Sequence, residues 1–288
     1  MSASPEAASP APEIVVVLVE PAGPLNVGSV ARLCANFAIA QLRLVAPRCN
    51  PLGEEARRMA VHGQAHLEQA ATFASLAAAI ADCRRVVATS GRLEREELPL
   101  EGPDSALSWL IEPEADPGVD INPGGAINPG VSINPGGAIN PGGAINPGGA
   151  MAPVALVFGR EDRGLSNDEL LQAGKILRLE SSADYASLNL SHAVAICLHE
   201  LRRIPAAKEP PGGSDGAGVT SLRGVLESTL ADGQDLLLEV GFLHPHTAHA
   251  RMAKLRGLLQ RAQIREGEVA LIRGMVRQLR WATTRGTP

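Results

Sequence analysis

At 288 residues, with 45% hydrophobic but only 2% aromatic residues, the chain can fill one large domain or two small ones around a proper core. Its formal charge of −5 does not mark a nucleic-acid binder as a whole. No stretch has the length and apolarity of a membrane span, and the opening MSASPEAASPAPE lacks the cationic start and apolar run of a signal peptide. Residues 1–13 therefore read as a disordered tail. Cysteines 34, 49, 83 and 197 show no Cys-x-x-Cys spacing, and three of them lie in or beside apolar runs. Buried free thiols in a reducing compartment, hence a soluble cytoplasmic protein, are the expectation.

Short, nearly continuous apolar runs recur at Ile14–Val19, Leu42–Val45, Val86–Thr89, Val154–Phe158 and Ile176–Leu179, as in strands covered on both faces. Helical patterns lie between them. Asn26 has the chemistry of an N-cap, followed by Val30, Leu33, Cys34 and Phe37 at helical spacing, with Arg32 off that stripe. Ser166 and Glu169 have capping-box spacing, with Leu165 and Leu170 as the hydrophobic staple. Leu190, Val194, Cys197, Leu198 and Leu201 mark another amphipathic helix. Alternating strands and helices predict an α/β fold: a parallel sheet with helices on both faces.

Two segments interrupt the alternation. Residues 121–150 are five tandem hexapeptides, INPGGA with one INPGVS variant. Asn-Pro-Gly at this density sustains neither helix nor ladder, and a short-period β-solenoid wants more apolar positions per turn. The segment reads as a disordered insertion in a surface loop, spanning about 119–150. The Pro/Gly-rich stretch 206–219 reads as a linker. Beyond it, Leu222–Val240, Arg251–Ala262 and Glu266–Trp281 are helical patterns, giving a small helical extension over 220–285. From Arg251 onward, nine Lys/Arg face two Glu, a local balance of +7. In the last helix Ile272, Met275, Val276 and Leu279 form an apolar stripe, and Arg273, Arg277 and Arg280 share the opposite side. This basic face is a candidate footprint for a polyanion.

Familiar chemistries are poorly supported. His62 and His66 are spaced i,i+4 and His244, His246 and His249 cluster, but neither group completes a metal-site pattern, so no metal is expected. No nucleophile elbow, P-loop or Gly-x-Gly-x-x-Gly is present. What stands out is three patterns placed at the ends of strands: Asn26-x-Gly28-x-x-x-Arg32, Gly159-Arg160-Glu161-x-x-Gly164-Leu165 and Ser187-Leu188-Asn189. Each alone is weak. Together they put polar helix starts, an arginine and a glutamate on one rim of an α/β sheet, where ligands bind.

Around these patterns, IVVVLVEPAGPLNVGSVAR (Ile14–Arg32), VALVFGREDRGLSNDEL (Val154–Leu170) and YASLNL (Tyr185–Leu190) resemble the three signature motifs of the SpoU/TrmH (SPOUT) family of RNA ribose 2′-O-methyltransferases. The C-terminal VGFLHP, AKLRGLLQRA and LIRGMVRQL resemble its TrmJ branch, which methylates tRNA. The resemblance implies a trefoil-knotted methyltransferase domain over 14–205, acting as a homodimer and binding S-adenosyl-L-methionine. The cofactor is expected among Thr89, Ser90, Gly91, Gly159, Leu179, Ala186, Ser187, Leu188 and Asn189. Arg32 matches the arginine given the central catalytic role, with Asn26, Glu161, Ser187 and Asn189 as neighbours. Arg273, Arg277 and Arg280 are the expected RNA contacts. The implied target is the ribose 2′-hydroxyl of cytidine or uridine at position 32 of the tRNA anticodon loop. Ribosomal RNA as substrate, or a non-catalytic RNA-binding homologue, are the alternatives. A guanidinium is protonated in essentially all protein settings, which favours Arg32 as an electrostatic clamp over Arg32 as base.

Overall fold

The computed structural model describes residues 12–91, 99–112, 152–182, 187–204 and 220–285. Of the expected tail 1–13, residues 1–11 lie outside the described residues, as do the hexapeptides, the linker up to 219 and Ala186; Pro12 is buried and the Glu13 carbonyl accepts from Val154 N at 2.9 Å, so the fold begins before the predicted strand. Seven strands form one sheet: β1 (Ile14–Val19), β2 (Gln41–Val45), β3 (Ala71–Phe73), β4 (Arg85–Thr89), β5 (Leu100–Glu101), β6 (Val154–Phe158) and β7 (Lys175–Leu177). Their order is β3-β2-β1-β6-β4-β7-β5, and every pairing is parallel. The helices are α1 (Pro24–Asn36), α2 (Glu54–Ala60), α3 (Gln64–Glu68), α4 (Leu76–Ala79), α5 (Pro103–Ile111), α6 (Asn167–Leu170), α7 (Leu190–Arg203), α8 (Arg223–Glu239), α9 (Pro245–Ala262) and α10 (Glu266–Arg285).

The sequence of β1 shows why the sheet is sandwiched. Val16 and Leu18 enter one core with side chains of α1, α2, α3, α5 and α7. Val15, Val17 and Val19 enter a second core with α4 and α6 on the other face. Alternate residues point to opposite faces, so a strand apolar at every position needs cover on both. Each fully buried aliphatic side chain contributes about 1.5–3 kcal/mol relative to exposure. The C-terminal helices bury Leu226, Leu230, Leu243, Met252 and Val269 in a separate third core. Burial pushes the thiols of Cys34, Cys83 and Cys197 up to about 12, while Cys49 is half-buried.

Several local expectations shift. α1 begins at Pro24, whose missing N–H costs nothing in the first turn, with Gly23 as the N-cap. Asn26 is thus a first-turn residue rather than the N-cap, which frees its amide for long-range contacts. The edge strands β3 and β5 are too short to give a periodic signal. His62 and His66 do not share an α-helix: His62 lies before α3, which begins at Gln64, and His66 Nε2 bonds the Ile39 carbonyl at 3.0 Å. α9 starts six residues earlier than predicted, again with proline in its first turn.

In α10, Ile272 and Val276 turn toward the packed side, but Leu271, Met275 and Leu279 are exposed. Arg273, Arg277 and Arg280 line a groove together with Val276 and Asp232, and Arg280 donates to the Asp232 carbonyl at 2.9 Å. The arginines therefore do not lie opposite the whole apolar stripe. α8 offers α10 a polar carbonyl and the small Gly233, so α10 approaches it along a mixed face.

The knot expected from the resemblance depends on the path between β7 and α7, of which residues 183–186 lie outside the described set. Among the described residues, no helix is long and apolar enough to cross a membrane.

Candidate functional site

β1, β6, β4 and β7 are adjacent in the sheet, and the chain leaves their carboxyl ends in four loops. Open parallel sheets bind ligands there, where successive connections diverge. Two close approaches fix the geometry. A Cβ on Gly28 would lie 2.2 Å from the Ala56 carbonyl oxygen, so glycine lets α1 press against α2. A Cβ on Gly159 would lie 2.4 Å from the Gly164 carbonyl carbon and 2.5 Å from the Leu165 nitrogen. Any side chain at 159 would force open the turn after β6. Gly164 itself sits at φ +68, a conformation that favours glycine.

That turn presents Glu161 to the loop after β1. Its carboxylate accepts from the backbone N–H of Ala22 (3.1 Å) and Gly23 (3.1 Å) and from Asn26 Nδ2 (3.2 Å). Asn26 Oδ1 in turn accepts from Asn189 Nδ2 at 3.1 Å. Asn189 Oδ1 caps α7, receiving Ser191 N at 2.9 Å and Ser191 Oγ at 2.8 Å. Every amide in this relay has its direction set: a carboxylate takes only donors and a helix N-terminus offers only donors. The relay ties the loops after β1, β6 and β7 to one another. Burial alone raises the Glu161 carboxyl, but the hydrogen bonds from Ala22, its own backbone, Gly23 and Asn26 hold it below the usual range.

A second network braces the first. Arg160 is largely buried and forks onto Glu169, with both bonds at 2.9 Å, and its Nη2 also bonds Glu20. Glu169 closes the capping box of α6 with Ser166. Glu20 ends β1 in the left-handed region, at φ +44. Its carboxyl is lowered, chiefly by the Arg160 hydrogen bond, and that of Glu169 is lowered against burial by the same arginine. Arg163 reaches Glu20 at 3.2 Å, and Arg48 stands 3.8 Å from it. Sequence reasoning missed Glu20 and Arg160 as a pair; the only signal was an acid at the end of the first strand and an arginine at the end of the fourth predicted one.

Between these loops lies a cavity of about 280 Å³. Thr89, Ser90, Gly91, Gly159, Leu179, Ser187 and Leu188 line it, as does Glu161, beside the apolar Phe158, Leu165 and Leu190. Thr89 is held by a bond from its hydroxyl to the Val157 carbonyl (3.1 Å), and the Ser90 N–H bonds Leu177 O (2.9 Å). Asn26 and Asn189 join through the relay and do not line the cavity. Arg32 stands apart. It is exposed on α1, its Cα against Gly63, outside the cavity lining, and it has no hydrogen-bond or ion-pair partner among the described residues. No group of three or more His, Cys, Asp or Glu among the described residues could hold a metal ion.

Residues 13–107 and 137–199 match the SpoU rRNA Methylase family, and residues 225–287 match the tRNA methyltransferase TrmJ, C-terminal domain. The tRNA (cytidine/uridine-2'-O-)-methyltransferase TrmJ of Cronobacter sakazakii is 30% identical over 267 residues, covering 91% of this chain and 94% of that protein. The tRNA (cytidine/uridine/adenosine-2'-O-)-methyltransferase TrmJ of Pseudomonas aeruginosa is 29% identical over 271 residues, covering 91% and 92%. The crystal structure of TrmJ from Z. mobilis ZM4 superposes with a TM-score of 0.70 at 25% identity, over 92% of this chain and 98% of that one. With its motif-bearing loops joined over one cavity and its last helices matched separately, the chain belongs to the SpoU rRNA methylase family and carries a TrmJ-type C-terminal domain.

Proposed function

We propose that the protein is an S-adenosyl-L-methionine-dependent tRNA methyltransferase acting on the ribose 2′-hydroxyl of cytidine or uridine at position 32, as a cytoplasmic homodimer. The observation that carries this reading is the Asn189–Asn26–Glu161 relay, which joins all three motif loops beside one cavity. The cavity suits the cofactor. Its apolar walls at Leu165, Leu179 and Leu188 fit a purine, and the glycines Gly91 and Gly159 stand on the same lining. The bound cofactor supplies an electrophilic methyl group.

The chain's own residues do the rest. Thr89–Gly91, Gly159, Leu179, Ser187 and Leu188 hold and orient, and orientation supplies much of the acceleration in group transfer. Glu161 and Asn26 keep the loops in register without moving a proton. Arg32 stabilises the negative charge that grows on the 2′-oxygen. Because Arg32 lies outside the cavity of its own chain, it serves in this reading the cavity of a second copy, which is where the homodimer enters. Arg273, Arg277 and Arg280 contact backbone phosphates, so binding weakens with salt. Only RNA offers the reacting hydroxyl.

The test is methyl transfer from labelled S-adenosyl-L-methionine to purified tRNA and ribosomal RNA, followed by mapping of ribose methylation. Labelled tRNA with a 2′-O-methyl at position 32 is expected. Labelling confined to ribosomal RNA would redirect the substrate, and tRNA binding without cofactor binding would make the protein a non-catalytic homologue. The match of residues 225–287 to the tRNA-enzyme domain favours tRNA.

A further inference from the structure

β4 has cavities at both of its ends. Thr89, its last residue, lines the cofactor cavity, and Arg85, its first, lines a second cavity of about 280 Å³ where the sheet meets the C-terminal helices. Four strand steps separate these residues, about 13 Å. The second cavity is lined by Trp109 and Glu112 from the end of α5, Thr220, Arg261 from the last turn of α9, and Arg265 just before α10.

This seam is held by specific contacts. Gln263 ends α9 in the left-handed region (φ +49), and its Oε1 accepts from the Trp109 indole at 3.0 Å. Thr220 and Arg265 form an antiparallel bridge, and Arg84 donates to the Thr220 carbonyl at 3.3 Å. Trp109 is itself fixed by cation–π contacts from Arg85 (5.5 Å) and Lys175 (5.7 Å). The positions of Arg261 and Arg265 thus follow from contacts spanning both parts of the chain.

The charges there do not cancel. Arg85 is committed to the carbonyls of Trp109 (2.6 Å) and Glu112 (2.7 Å) and stands 3.6 Å from the Glu112 carboxylate, the one acid lining this cavity. Neither Arg261 nor Arg265 has a side-chain hydrogen bond or ion pair among the described residues. Two uncommitted guanidiniums at the edge of a cavity form a receptor for a doubly bonded oxyanion, and their planar forks match a phosphodiester.

Resting on the function proposed above, we propose that Arg261 and Arg265 form a phosphate subsite for the RNA backbone, remote from methyl transfer. The second cavity lies at the opposite end of β4 from the cofactor cavity, so these charges are placed to act on RNA affinity and not on the reacting oxygen.

The test compares full-length wild type with Arg261→Gln/Arg265→Gln and Arg261→Lys/Arg265→Lys. tRNA affinity is measured across a salt series, with kcat, KM for tRNA, cofactor affinity and unfolding midpoint. The Gln pair is expected to bind tRNA about tenfold more weakly at low salt. Its log K against log salt slope should fall by about 1–2, as for loss of one or two phosphate contacts. KM should rise while kcat at saturating tRNA and cofactor affinity stay unchanged, and the Lys pair should keep most of the slope. An unchanged slope in a folded Gln pair, or a loss confined to kcat, overturns the proposal. Stabilisation of wild type but not of the Gln pair by inorganic phosphate, with tRNA slopes identical, assigns the site to free anions and also overturns it. Should wild type methylate tRNA while the Gln pair titrates like it, only the subsite fails; should wild type bind no tRNA, both readings fall.

Discussion

The loops at the carboxyl ends of the strands and the helices after residue 220 handle charge in opposite ways. In the loops, charged groups are spent on one another: Arg160 on Glu20 and Glu169, and Glu161 on two backbone amides and Asn26. On the C-terminal helices Arg261, Arg265, Arg273 and Arg277 have no carboxylate within ion-pair distance among the described residues. A paired charge fixes geometry but attracts little from solution, while an unpaired one fixes nothing and remains available to a polyanion. One region is arranged to hold positions, the other to attract. Arg32 breaks the division, since it belongs to the first motif yet is as uncommitted as the C-terminal arginines.

That exception gives the largest expected effect. Arg32→Ala should lower methyl transfer to tRNA by at least about 100-fold, the scale for removing a group that stabilises developing charge. Its unfolding free energy should stay within about 0.5 kcal/mol of wild type, because the side chain is exposed and makes no pair among the described residues. Cofactor affinity, followed by calorimetry, should not change. Mixing Arg32→Ala with a Glu161→Ala protein, under conditions where copies exchange, should give more activity than the sum of the two proteins alone. Activity no greater than that sum would return Arg32 to the cavity of its own chain.

The paired region predicts a smaller effect with a pH signature. In Glu161→Gln the amide NH2 must face one of the backbone N–H groups of Ala22 and Gly23, which costs about 1 kcal/mol, the low end for a carboxylate open to water. Turnover should fall by roughly tenfold as the three loops lose register. The wild-type carboxyl is held below its ordinary value. Its contribution is therefore complete above the unfolded value, about 4.3, and is lost as pH falls through the depressed folded value. Glu20 and Glu169 are lowered too and keep a slope of the same sign in both proteins. The difference between the two denaturation curves should narrow on acidification below about pH 4. A constant difference would show that the Glu161 charge contributes nothing.

What could be read from the sequence divides along similar lines. The central strands were legible because a strand buried on both faces must be apolar throughout, and the capping box Ser166–Glu169 was legible because it is local. β3 and β5 were not, having three residues and two. Asn26 carries the local signature of an N-cap, but the partners that define its role lie 135 and 163 residues away. Glu20–Arg160 was invisible for the same reason, being 140 residues apart. The seam cavity draws its arginines from residues already counted in the basic end. Only the fold shows that Arg265 meets Thr220 and that Trp109 anchors the turn carrying Arg261.

The smallest effect is expected where composition alone speaks. Residues 121–150 fall between Glu112 and Ala152, the described residues on either side. Both ends of that interval are tied to adjacent residues at the start of β4: the Glu112 carbonyl accepts from Arg85, and the Pro153 carbonyl accepts from Arg84 N. A much shorter connection can therefore close the same gap. Thirty-nine residues now connect Glu112 to Ala152, and removing the repeats leaves nine. For a loop closed without packing, that shortening should raise stability by about 1 kcal/mol through closure entropy. Methyl transfer and tRNA affinity should stay within twofold of the full chain. A fall in stability on deletion, read by chemical denaturation, would mean that the repeats pack against the fold and that their Asn-Pro-Gly pattern encodes structure after all.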